Sequence, residues 1–162
     1  MWHSLSAMTT SWQSYYANHA LIRTLVVFGH VAPLIAAAGF AVASDAEILR
    51  TRDEQHERRF SVLERLRASH DVVLVGLGLT MISGVMLFAS DVDTFVHSTY
   101  FWTKMALVAL LVLNGAFVRY ADGRAIRNPD ELHWRPLRYA AAISIVLWFL
   151  TTLIGVALPN MG

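Results

Sequence analysis

His30 and Lys104 each interrupt a long apolar run, where a solvated side chain has no place. Centring a charge on a membrane-spanning helix costs ~2.5–3.5 kcal/mol on the insertion scale, so an ionisable residue there marks a site or a buried polar contact. A neutral imidazole can ligate haem iron, copper or zinc, relay a proton, or serve as a buried structural group. A lysine one turn inside a span can hold an anionic group, act as a second ligand or pass protons. It can also reach back to the headgroups along its own methylene stem.

Further residues extend these alternatives. His19 precedes His30 by eleven residues, close to three helical turns and so on the same face, and His97 falls in a connection on the same side. The three imidazoles, with the thioethers of Met86 or Met105, have the softness that copper prefers. Trp102 stands two residues before Lys104, and the adjacent hydroxyls of Thr151 and Thr152 fall in the same half of the fourth run. These residues are candidates for contact with a cofactor's edge or a propionate. Asn114, deeper in the third run, is expected to hydrogen-bond across helices.

The elements that position these residues follow from hydropathy. The 162 residues are 56% hydrophobic, and the apolar ones gather into four runs instead of an amphipathic scatter. The runs predict spans at about 21–43, 70–89, 101–119 and 137–158, each near the ~20 residues a helix needs to cross the hydrocarbon. Barrel strands would be shorter and alternating. The fold class is therefore all-α, a single integral-membrane four-helix bundle over residues 1–162. Residues 1–20 form an interfacial segment, since Trp12, Tyr15, Tyr16 and His19 make a one-sided aromatic stripe. Residues 44–69 add a charged helical extension that runs into the second span, with Phe60, Leu63 and Leu66 as a narrow apolar edge.

Charge sets the orientation. Arginines crowd 44–69 and 120–136, whereas the connection between the second and third spans carries Asp91 and Asp93 and no Lys or Arg. The positive-inside rule makes the first two segments cytoplasmic and places both termini outside, as in a multi-pass protein of a bacterial inner membrane. Acidic residues interleave with the arginines, which excludes a nucleic-acid surface. The chain has no cysteine, so disulfides, thiolate ligands and covalently attached haem are ruled out.

Three further expectations concern packing. Gly29, Ala32, Ala36, Gly39 and Ala43 form a stripe of small residues that would admit a close neighbour, while His30 shares the opposite face with Leu34, Ala37 and Ala41. Gly76, Thr80, Ser83 and Gly84 form a second such stripe. Ser44-Asp45 is expected to end the first span, Asp122-Gly123 and Asn128-Pro129 to break the third connection into a loop, and Pro159 to stop the fourth span.

His30, the run Arg59-Phe60-Ser61-Val62-Leu63-Glu64-Arg65 and Trp102-x-Lys104 resemble the HemJ-type protoporphyrinogen oxidases and their copper-resistance D (CopD-like) relatives. The chain also resembles uncharacterised four-span bacterial membrane proteins. The HemJ likeness implies that His30 is a haem ligand or catalytic histidine and Lys104 the functional lysine beside it. Two departures stand against it: Asn114 occupies the place where that family has a histidine, and Arg138-Tyr139-Ala140 replaces its Asn-Glu pair.

Three functions follow as expectations. The first is a haem-b membrane redox protein and possible oxidoreductase, exchanging electrons with a quinone or porphyrin-like substrate. In it His30 and Lys104, with Trp102, Thr151 and Thr152, hold the cofactor. The second is copper handling at the outer face through His19, His30 and His97. The third is a cofactor-free subunit or assembly factor, as a homodimer or within a larger membrane complex, docked through its small-residue stripes.

Overall fold

The computed structural model describes residues 2–51, 56–127 and 134–161, with side chains over 9–51, 65, 69–121 and 135–158. Among the described residues the chain is helical throughout: α1 Trp2–Asn18, α2 Ala20–Arg50, α3 His56–Ser90, α4 Val92–His97, α5 Thr99–Arg127 and α6 Trp134–Met161. Four stretches are long and apolar enough to cross a membrane, Ala20–Arg50, Ser69–Ser90, Thr99–Ala121 and Arg135–Leu158. Their outward faces carry Phe28, Ile35, Leu79, Leu113, Phe149 and Leu153, all exposed, a surface that suits a bilayer and not water. The chain is a multi-pass, all-α membrane bundle.

Within the bundle α2 packs along α3 and along α6, and α6 packs on α5. Gly76 sets the α2–α3 approach: a Cβ there would lie 2.9 Å from both the Pro33 carbonyl oxygen and the Ala37 Cβ. The middle of the bundle is a dry layer of Ala37, Leu111, Leu147 and Trp148. A second apolar cluster, Ile48, Val118, Leu137, Ala140 and Ala141, fills the end of the bundle that carries Arg135 and Arg138. At the opposite end Phe88 stacks on Phe101 with ring centroids 5.3 Å apart, tying α3 to α5, and Phe95 of α4 completes the group. There α1 touches α2, α3 and α4, and the Trp12 indole N–H donates to the Met86 carbonyl at 2.9 Å.

Several sequence expectations are corrected. Ser44-Asp45 does not end the first span, because α2 runs on to Arg50 with Asp45 buried against α6. Asp122-Gly123 does not form a turn, because the α5 backbone stays helical to Arg127. Propensity for a turn yields there to continuation of an established helix. α6 likewise passes through Pro159 to Met161. The connection that carries Asp91 and Asp93 contains the short helix α4, whose first turn Asp91 caps by accepting from the Thr94 N–H.

The stripe of Gly29, Ala32, Ala36, Gly39 and Ala43 is not the face that α2 uses within the chain. Nothing lies within 4 Å of a Cβ at Gly29 or Gly39. The close approach uses the other side of α2, where Ala37 meets the Gly76 stripe. Asn128-Pro129 lies outside the described residues, as do the side chains of the Phe60, Leu63 and Leu66 edge and of Arg59 to Glu64.

Candidate functional site

The Gly76-to-Gly84 stripe of α3 does more than admit α2, because it builds the cradle of His30. The His30 Nδ1 lies 3.0 Å from the Thr80 carbonyl oxygen and 3.2 Å from the Ser83 hydroxyl. A carbonyl only accepts, so Nδ1 carries the proton and Nε2 keeps its electron pair. The Ser83 hydroxyl donates to the Leu79 carbonyl at 2.8 Å, which leaves its oxygen free to accept from the same Nδ1–H. Gly84 makes room for the ring, since a Cβ there would sit 3.2 Å from His30 Cε1. Pro33 lies one turn further along α2, and the Thr80 hydroxyl reaches the His30 carbonyl at 3.5 Å. A ring fixed through Nδ1–H to a carbonyl, with Nε2 free, is the arrangement that metal-ligating histidines use.

Lys104 of α5 lies close enough for its charge to act on His30. Its stem does not return to the headgroups. It runs toward α6, with Cε and Nζ 3.6 Å from where a Cβ at Gly155 would be. Its charge interacts with His30, and it makes no hydrogen bond or ion pair among the described residues. One turn further into α6, Thr151 is 3% exposed and its hydroxyl has no partner. The half of the bundle next to α1 and α4 thus holds an imidazole with a free electron pair, an ammonium and an unused hydroxyl, contributed by three helices.

The other sequence candidates lie elsewhere. Thr152 is exposed and donates back to the Trp148 carbonyl at 2.9 Å, because adjacent residues of a helix face different ways. Trp102 is 51% exposed, and its indole N–H donates to the Val96 carbonyl, which holds it at the rim. His19 is the single residue between α1 and α2, stacked on Tyr15 with centroids 4.2 Å apart and donating to the Tyr15 carbonyl. His97 donates to the Asp93 carbonyl within α4. Both imidazoles are exposed and turned to their own helices. Among the described residues no three His, Cys, Asp or Glu side chains come together, so His19, His30 and His97 do not form one ligand set. Met86 and Met105 are both exposed.

A second polar group escaped sequence reasoning. Asp45 is 5% exposed, with its carboxyl hydrogen-bonded by Ser144 of α6 and Oδ2 buried without a partner. Asn114 donates across to the Ala140 carbonyl at 3.0 Å, the cross-helix bond its position predicts. The signal for Asp45 is in the periodicity: the His30 face of Leu34, Ala37 and Ala41 continues through Asp45 to the buried Ile48.

Compared with protein-family models, with curated proteins and with solved structures, the chain finds no match in any of the three.

Proposed function

We propose that the chain is a haem-b-binding redox protein of a bacterial inner membrane, with His30 as the iron ligand through Nε2 and both termini outside. The observation that carries this reading is the His30 ring, held by the Thr80 carbonyl in the tautomer that leaves Nε2 available, within reach of the charge of a lysine that has no partner among the described residues. The donor set fits the group. Lys104 would pair with a propionate and the orphaned Thr151 hydroxyl would bond it, while the apolar layer of Trp148 excludes water beneath. Haem would supply one-electron chemistry, and the bundle would supply placement, dryness and a fixed ligand tautomer. Electrons would pass between a lipophilic quinone or porphyrinogen and a protein partner. The likeness to HemJ-type oxidases is extended to binding and not to their reaction, because Asn114 is committed to the Ala140 carbonyl where those proteins have a histidine. The arginine-rich end, with Arg65, Arg135 and Arg138, faces the cytoplasm in this reading.

The test is the visible spectrum of the purified full-length protein. The expected result is a b-type Soret and α-band spectrum that His30→Ala abolishes and Lys104→Met weakens or shifts. A protein that stays colourless after addition of haem, or a His30→Ala variant with an unchanged spectrum, overturns the reading.

A further inference from the structure

Asp45 takes no part in the site just described. At the helical rise it lies on the order of 22 Å along α2 from His30, with the dry layer of Ala37, Leu111, Leu147 and Trp148 between them. Its surroundings are neutral. The group that α6 presents to it is Ser144, the apolar cluster of Ile48, Val118, Ala140 and Ala141 lies one turn further along α2, and the Asn114 amide of α5 is spent on the Ala140 carbonyl. The charged groups nearer the end of α2 are engaged elsewhere: Glu47 pairs with Arg65 of α3 at 3.4 Å, and Arg138 of α6 donates to the Leu49 carbonyl. On α3, Asp71 is exposed and His70 half-buried, both beyond that end of the dry layer, and Arg119 of α5 is exposed.

A carboxylate in this position would be a buried charge with one neutral donor and one bare oxygen, which is far costlier than a neutral acid. Protonated, the acid can donate to the Ser144 oxygen, which leaves only a carbonyl-type oxygen unsatisfied. A partly open cavity of about 420 Å³ is lined by Leu49, one turn from Asp45, and by Arg135, Arg138, Tyr139 and Ala142 of α6. Its two guanidinium groups make it a poor resting place for any cation, but a proton bound on the neutral acid can be handed to or from hydroxide or buffer bases that the same charges attract.

We propose that Asp45, paired with the Ser144 hydroxyl, is a proton-binding site of the inner half of the bundle, exchanging its proton with the aqueous phase through the cavity beside Arg138. Uptake and release are the simple equilibrium of a carboxylic acid with its carboxylate and a proton.

Infrared difference spectra of the full-length protein in lipid, recorded across pH and in D₂O, test this. The expected result is a carbonyl band of a buried protonated carboxyl that moves in D₂O, disappears as pH rises, is absent from Asp45→Asn and is shifted in Ser144→Ala. Absence of such a band at every pH, or its survival in Asp45→Asn, overturns the assignment. So does loss of the band on adding sodium at constant pH, because the ligand is then a metal cation. If Asp45→Asn does not assemble, Ser144→Ala decides: a band unmoved in that variant also overturns the proposal.

Discussion

Lys104 and Asn114 both face α6 from α5, but Asn114 donates to the Ala140 carbonyl while Lys104 has no bond among the described residues. The same contrast holds between the two halves of the bundle. In the half next to α1 and α4 the Thr151 hydroxyl and the Lys104 ammonium are unused among the described residues. In the half that carries Arg135 and Arg138 the one buried side-chain atom without a partner among the described residues is an oxygen of Asp45, and the Asn114 amide is satisfied. Polar groups that hold a fold together are paired inside the protein, because an unmade bond in a dry place costs roughly 1–3 kcal/mol. Unpaired ones are open to a bond the described residues do not supply. The difference separates Asn114, which belongs to the architecture, from Lys104, Thr151 and Asp45, on which the proposed ligand and proton sites rest.

Substitutions can break that contrast or sharpen it. The largest effect is expected at Gly76, where any side chain strikes the Pro33 carbonyl and Ala37. Gly76→Leu should destabilise by about 3 kcal/mol, the upper range for overpacking, and should disturb both halves together. Gly39→Leu, on the open face of α2, should leave the unfolding midpoint in detergent almost unchanged. Equal losses for the two would mean that the exposed stripe is covered in the native assembly.

Asn114→Ala should cost about 0.6–1.7 kcal/mol, the range measured for interhelical bonds in membranes. Lys104→Met is expected to go the other way. Removing an unpaired cation should leave the unfolding midpoint unchanged or raise it, while haem binding weakens. A loss of stability as large as that of Asn114→Ala would show that Lys104 has a structural partner and would erase the contrast. The smallest effect is expected at Thr151. Thr151→Val keeps the shape and discards a hydroxyl with nothing to bond, so stability should rise by a few tenths of a kcal/mol in thermal melts. A drop would reveal a partner for that hydroxyl.

Much of the frame was legible in the sequence. Four apolar runs of spanning length gave four spans, and counting turns from their ends brought His30 and Lys104 to one layer. Where the reading failed, a local polar signal was overridden by tertiary packing. Ser44-Asp45 looked like a helix end because a carboxylate is expensive in hydrocarbon, but α6 supplies Ser144 opposite it and the helix continues. Gly29 and Gly39 permit close approach by a helix, but inside the chain α2 packs through its other face, because Gly76 fits Ala37. His19 and His97 carried ligand chemistry in type and side. Their orientation toward their own backbones is set by α1 and α4, and the latter is a helix too short for hydropathy to show.

The layer of Ala37, Leu111, Leu147 and Trp148 has an electrical consequence. A dry, well-packed slab between two polar regions is a dielectric, and the voltage across the membrane falls mainly there. A full membrane potential is worth about 2.3 kcal/mol per elementary charge per 100 mV. A charge on Lys104 and a charge on Asp45 stand on opposite plates of this capacitor. The protonation of Asp45 therefore follows the potential of one compartment, while the charge state of the His30 region follows that of the other.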